Sequence, residues 1–287
     1  MSDIPRLGVV GCGLMGSGIA EIAALRGLDV TVAESTPELA AAGRDRVTAS
    51  LDRGLRRGKL TEDARDQALD RLSFTHDLHA LADRQFVIEA AAENREVKLD
   101  IFRRLDKVVT DPDAVLATNT SSIPVVDIAV ATGRPSQVVG MHFFNPVPVQ
   151  KLVEVIPALT TAAATVARTR DLATAHLGKQ VVQAPDRSGF VVNALLVPYL
   201  LAAIRMVESG AARAEDVDRG MELGCAHPMG PLRLLDLIGL DTAQAVAESL
   251  YEEFREPLYA APPLLRRMVA AGHLGRKSGR GFYGYDA

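Results

Sequence analysis

His142 and Glu154 are an imidazole and a carboxylate set in otherwise apolar sequence, separated by the proline-punctuated run Asn145-Pro146-Val147-Pro148. A glutamate between Val153 and Val155 is costly to bury unless something pairs with it. A histidine that takes up a proton during a reaction is helped by such a neighbour, which orients the ring and stabilises the imidazolium. If the chain folds back at the proline run, the two side chains meet. The chemistry on offer is general acid–base catalysis, which wants a group that titrates near neutrality, as an ordinary imidazole does. A lone histidine in such a setting is more often a satisfied core residue, so the rest of the chain must supply a reaction that needs a base.

A second constellation supplies one. Gly11-Cys12-Gly13-Leu14-Met15-Gly16 follows the predicted strand 7–10 and opens a helix. Gly11 permits the tight turn, Gly13 lets backbone approach a pyrophosphate, and Gly16 lets helix and strand pack closely. Leu14 and Met15 belong to the same phosphate-facing loop, and the helix N-terminus offers N–H donors and a positive dipole end. Glu34 closes the second predicted strand, where a carboxylate binds the ribose hydroxyls of an NAD-type cofactor. Ser35, Thr36 and Pro37 follow, with no arginine to receive a 2′-phosphate, so NAD is expected rather than NADP. A glycine-rich loop alone is a weak signal; a strand before it, a helix after it and a later acid make it stronger. Cys12 reads as a small residue beneath the cofactor. His76 and His79 have a metal-like spacing, but no cysteine or carboxylate cluster completes a site, and no metal is expected. Asp77 reads as the cap of a short helix.

These residues need elements to hold them. Short apolar runs at 7–10, 30–33, 86–88, 115–117, 138–141, 153–156 and 181–182 have strand length, and helical patterns fall between most of them. Such alternation predicts an α/β fold, a Rossmann-like, mostly parallel sheet with helices on both faces. A helical hairpin is inserted after the second strand: one arm over 37–57, with Thr36 and Pro37 as start signals, and a second from Thr61 to about residue 72. The first arm carries Arg44, Arg46, Arg53, Arg56, Arg57 and Lys59, which reads either as a solvated face or as a basic arm for a phosphorylated substrate carrier. From about residue 186 the pattern turns helical throughout. The run 190–207 is apolar nearly all round, but Asn193, Pro198 and Arg205 interrupt it, so it reads as a buried helix and not a membrane span. Further helices are expected at 214–223, 232–237, 242–254 and 264–271. Two domains follow: 1–185, binding NAD, and 186–287, helical, for substrate and dimerisation. The apolar excess of the second suggests surface buried against another subunit.

Composition agrees. At 287 residues one core nears its upper limit, and a hydrophobic fraction of 48% supports globular packing. A net charge of −4 gives no case for nucleic acid or an anionic membrane. Two distant cysteines, Cys12 and Cys225, argue against a disulfide scaffold. The N-terminus lacks the charged and long apolar regions of a signal peptide, so a cytoplasmic location is expected.

Taken in register, the motifs resemble the short-chain L-3-hydroxyacyl-CoA dehydrogenases, and most closely their bacterial 3-hydroxybutyryl-CoA dehydrogenase branch. The likeness spans essentially the whole chain: the glycine-rich loop, Val87-Ile88-Glu89-Ala90 with Glu93-Asn94 and Val97-Lys98, Thr118-Asn119-Thr120-Ser121-Ser122, and the His142–Glu154 stretch. It continues through Ser188-Gly189-Phe190-Val191-Val192-Asn193, His227-Pro228-Met229-Gly230-Pro231 and Gly275-Arg276-Lys277-Ser278-Gly279-Arg280-Gly281-Phe282-Tyr283. The resemblance implies reversible, NAD-dependent oxidation of an L-3-hydroxyacyl-CoA to the 3-ketoacyl-CoA by a homodimer joined through the helical domain. It makes His142 the general base and Glu154 its partner. Ser121 and Asn193 then bond the reacting oxygen or the thioester region. Ala90, Glu93, Lys98 and Asn119 join the cofactor set, Glu93 and Lys98 at the nicotinamide end. Ser50 and Arg57 fall at CoA-contacting positions, Arg57 replacing a commoner lysine. Thr118 stands where serine is frequent, and Ala194 where an arginine often follows the asparagine. These departures bear on acyl-chain preference and local ion pairing. Two other readings stay open: the same chemistry on an acyl-carrier-protein thioester, and a cofactor-binding protein without activity. The intact set Ser121, His142, Glu154 and Asn193 argues against the latter.

Overall fold

The four residues of the first strand, β1 (Leu7–Val10), are buried on both faces, as are those of β2 (Val30–Ala33), β4 (Phe86–Glu89) and β5 (Val115–Thr118). Runs this apolar, joined by helices, are what a parallel sheet covered on both sides demands. A computed structural model describes residues 6–285 and shows that sheet. With β3 (Leu72–Thr75), β6 (Val138–Phe143), β7 (Leu152–Ile156) and β8 (Gln180–Gln183) it has eight strands in the order β3-β2-β1-β4-β5-β6-β7-β8. All neighbours pair parallel except β6 and β7. The order reverses between β1 and β4, and ligands of open α/β sheets bind in the crevice at the carboxyl ends of such a pair.

Helices α1 (Leu14–Leu25), α2 (Pro37–Arg56), α3 (Glu62–Asp70), α4 (Arg95–Val108), α5 (Val125–Ala129) and α6 (Ala163–Asp171) complete this first unit. The hairpin α2–α3 stands where the insertion was expected. Thr36 caps α2 by accepting from Leu39 N, and Thr61 caps α3 by accepting from Ala64 N. Helix α2 buries Ala40, Gly43, Val47 and Leu51, a stripe three to four residues apart that lays one face on the unit and leaves the arginines outside. One expectation is corrected: the second arm stops at Asp70, and Leu72 opens β3. Phe74 packs on the core and Ser73 faces out, and pairing with the edge of β2 outweighs continuing the helix. Asp77 caps the short turn that follows, accepting from His79 N.

Contacts divide the chain between Asp186 and Arg187. The second unit is helical: α7 (Val192–Glu208), α8 (Ala214–Gly224), α9 (Pro231–Ile238), α10 (Leu240–Phe254) and α11 (Pro263–Ala270). Its core gathers Val197, Leu200, Leu201 and Ile204 of α7 with Leu232, Leu235, Ala247, Leu250 and Leu265. Buried Asp236 accepts from Phe282 N, Tyr283 N and the Tyr285 hydroxyl, and so ties the C-terminal segment onto α9. No helix among the described residues is long and apolar enough to cross a membrane.

Candidate active site

His142 and Glu154 are directly opposite one another on the antiparallel pair β6–β7. Opposed residues share a face of the sheet, so their side chains must meet. They do: His142 Nδ1 lies 2.8 Å from Glu154 Oε2, with Glu154 fully buried and His142 nearly so. Neighbouring Met141, Phe143, Val153 and Val155 point the other way into the core. The Phe144 ring sits edge-on to the imidazole at 4.7 Å. The turn between the strands is pinned from below, because Lys179 Nζ donates to the carbonyls of Val147 (2.5 Å) and Gln150 (2.7 Å). Burial, and then the charge of Arg26, lower the pKa of that ammonium. With Nδ1 given to the carboxylate, Nε2 is the ring's other nitrogen.

Asn119 connects this pair to the crevice. Its side-chain oxygen accepts from Phe143 N at 2.9 Å, and it also lines a cavity of about 620 Å³ at the β1/β4 crossover. Gly11, Gly13, Leu14, Met15, Glu34, Ala90, Glu93, Asn119 and Ser121 all face that cavity. Its floor and mouth suit a dinucleotide. Gly11 has φ +88°, and a side chain there would collide with the backbone of Ala90 and Ala91 at 2.8 Å. A Cβ on Gly16 would lie 1.9 Å from the Gly11 carbonyl, whereas Gly13 has open space beside it, on the side where a phosphate must come close to backbone. Helix α1 has Gly13 at its N-cap, with no side-chain cap and no acid in its first turn, so its N–H groups and dipole are available to an anion. Glu34 is held at the loop, its carboxylate accepting from Cys12 N at 2.5 Å and Ser35 N at 3.2 Å. A carboxylate there receives ribose hydroxyls and repels a 2′-phosphate. Cys12 itself is buried and packs against Gly43 of α2. Its thiol is pushed up to about 12 by burial first and the Glu34 charge second, with Arg46 opposing.

Beside the cavity, Glu93 organises the turn that carries Ser121. One carboxylate oxygen accepts from the Thr120 hydroxyl (2.6 Å), Ser121 N (2.9 Å), Ser122 N (3.1 Å) and the Ser122 hydroxyl (3.0 Å). Burial raises the Glu93 pKa, but the Lys98 charge and these hydrogen bonds outweigh it and hold the carboxyl below its ordinary value. Lys98 is not on the cavity wall. It is 1% exposed, with Nζ 2.6 Å from Glu89 Oε1 and 3.4 Å from Glu93 Oε2. Thr118, where serine is frequent in the resembling family, keeps the hydroxyl that matters: Oγ1 donates to Glu89 Oε2 at 2.7 Å.

These motifs now have a family. Residues 6–187 match the model described as 3-hydroxyacyl-CoA dehydrogenase, NAD binding domain, and residues 189–285 match its C-terminal domain. The chain belongs to the 3-hydroxyacyl-CoA dehydrogenase family. It is therefore an NAD-dependent dehydrogenase. It is 61% identical over 286 residues to a Mycobacterium tuberculosis protein named 3-hydroxybutyryl-CoA dehydrogenase, covering 99% of this chain and 100% of that one. Among solved structures, M. tuberculosis FadB2 aligns with a TM-score of 0.98 at 60% identity, over 99% of this chain and 100% of the other. The (S)-3-hydroxybutyryl-CoA dehydrogenase PaaH1 of Ralstonia eutropha aligns with a TM-score of 0.94 at 44% identity, again over 99% and 100%.

Other residues of the expected site fall elsewhere. Ser50 and Arg57 lie on one side of the outer half of α2, two helical turns apart, Ser50 half-buried and Arg57 exposed at the C-cap. Ser50 bonds buried Glu21 of α1, whose carboxyl burial pushes up and whose Ser50 and Arg53 neighbours pull down. The basic arm is thinned by internal duty, since Arg46 donates to the Cys12 carbonyl and Arg44 stacks over Phe74. Asn193 occupies the first turn of α7 in the second unit. Two residues escaped sequence reasoning. His76 lines the cavity beside Ser35, and Glu89, read only as part of the motif Val87-Ile88-Glu89-Ala90, is the fully buried anchor of Lys98. A glutamate ending an apolar strand run was the available signal for the second.

Proposed function

We propose that the chain catalyses the reversible oxidation of L-3-hydroxybutyryl-CoA to acetoacetyl-CoA. The single observation that carries this reading is the buried His142–Glu154 pair, joined through Asn119 to the dinucleotide crevice. Bound NAD supplies the hydride acceptor. Nε2 of His142 takes the proton of the C3 hydroxyl, and Glu154 at Nδ1 fixes the ring and stabilises the imidazolium that forms. In the other direction the imidazolium returns the proton to the ketone oxygen. Ser121 and Asn193 hydrogen-bond the reacting oxygen or the thioester region as oriented dipoles at developing charge. Gly11, Gly13, Leu14, Met15, Gly16, Glu34, Ala90, Glu93 and Asn119 hold the cofactor, and Ser50 and Arg57 contact CoA. The names of the relatives support the acyl group, and acid–base catalysis by such a pair contributes about 10²–10⁴-fold.

The helical unit forms the homodimer contact in this reading. Leu195 and Met206, on one face of α7, and Leu223 of α8 are exposed, which a partner copy would cover. Light scattering should return twice the chain mass. The decisive assay is NADH consumption with acetoacetyl-CoA. His142→Gln should nearly abolish it while circular dichroism stays unchanged; undiminished turnover refutes the assigned base. Activity on an acetoacetyl-acyl-carrier protein, with acetoacetyl-CoA inert, would replace the carrier and keep the chemistry.

A further inference from the structure

A fully buried carboxylate lies behind the cofactor crevice, and no step of the reaction uses it. Glu89 ends β4 with no exposed surface. Its Oε1 accepts from Ala91 N (2.7 Å) and from Lys98 Nζ (2.6 Å), and its Oε2 accepts from the Thr118 hydroxyl (2.7 Å). Three segments therefore meet on one side chain: the Ala90–Ala91 backbone against which Gly11 packs, the end of β5, and the first turns of α4. Removing two charges from water is costly, and an apolar pair of the same volume is often as stable. Stability alone gives weak reason for the pair. What an apolar pair cannot do is present a positive charge to Glu93, whose Oε2 lies 3.4 Å from the same ammonium. Glu93 in turn holds the Thr120–Ser122 turn through four hydrogen bonds on its other oxygen.

We propose that Glu89 and Lys98 are positioning residues: the buried carboxylate fixes the ammonium, the ammonium fixes Glu93, and Glu93 fixes the turn that presents Ser121. This rests on the assignment of Ser121 to the substrate made above.

The test is the double variant Glu89→Gln/Lys98→Met, which removes both charges, keeps the volume and leaves no unpaired buried ion. Amide exchange at Ser121 and Ser122 should quicken by about tenfold, because their acceptor is no longer held, while exchange in β4 and α4 stays as it was. With acetoacetyl-CoA, kcat/KM should fall by about 10²-fold, the scale of a misplaced group. In a Ser121→Ala background the same double variant should cost less than about twofold, since the turn then has nothing to position. Equal losses in both backgrounds overturn the proposal. Unchanged exchange at the turn overturns it without reference to activity. Should the double variant not fold, Glu93→Gln, at a partly exposed position, must show the same quickened exchange or the proposal fails. Full activity of Ser121→Ala would instead refute the assignment of Ser121, and the exchange measurement would still decide whether the pair holds the turn.

Discussion

Replacing Glu154 by glutamine removes one charge and almost no volume from the pair with His142. The Nδ1–Oε2 separation is 2.8 Å and Glu154 has no exposed surface, so the interaction is little screened by solvent or salt. Taking about 4 Å between charge centres and an effective dielectric of about 20, a carboxylate stabilises the imidazolium by about 4 kcal/mol. Glutamine still offers an oxygen to Nδ1–H, which retains about 1 kcal/mol. The remaining loss of about 3 kcal/mol corresponds to about 10²-fold in kcat. Stability should hold or rise, because a neutral amide costs less to bury than a carboxylate. The assay is steady-state NADH oxidation by acetoacetyl-CoA, with thermal unfolding in parallel. In a His142→Gln background the same change should cost far less of kcat, since the role proposed for Glu154 runs through the ring. A kcat within about threefold of wild type, with an unchanged melting temperature, would refute the reasoning.

Three further outcomes follow from the crevice. Gly16→Ala places a Cβ 1.9 Å from the Gly11 carbonyl, so NADH affinity should fall by more than about tenfold in a fluorescence titration; an unchanged Kd sinks the account of the loop. Cys12, its thiol pushed up to about 12, should stay unmodified by iodoacetamide in the native protein at about pH 8 and react once the chain is unfolded, while exposed Cys225 reacts in both states, as mass spectrometry of the peptides would show. Glu93 has a folded-state pKa below its ordinary 4.5, so its ionisation stabilises the fold above that pH and the benefit is lost as pH falls through the lower folded value. Urea midpoints of wild type and Glu93→Gln should therefore differ at neutral pH and converge under acid; a gap that persists contradicts the hydrogen bonding at the Ser121 turn.

Local chemistry makes much of this legible in the sequence. The glycine-rich loop and Glu34 announce themselves because the phosphate cradle is built from contiguous backbone. The strands of the sheet stand out as continuous apolar runs because both faces are covered. Strand β3 was obscured, since Leu72-Ser73-Phe74-Thr75 is short, half-exposed and continuous with a helical pattern; only its pairing with β2 defines it. The burial of Lys98 is not legible in the sequence, because its partner Glu89 precedes the turn and nothing local marks it as buried. The C-terminal Gly-Arg-Gly-Phe-Tyr motif had no visible purpose, as the carboxylate that holds it, Asp236, is far away in sequence.

The pairing of β6 with β7 also limits how genes of this kind can drift. His142 faces Glu154 by register, and strand side chains alternate sides. A single-codon insertion inside either strand would carry one member of the pair through to the opposite face, beyond reach of the other. Codons gained or lost in the connecting turn leave both strands in step and trade only against the two carbonyls that Lys179 grips. Length variation tolerated in that turn and selected against in the strands on either side would be the genetic imprint of this register.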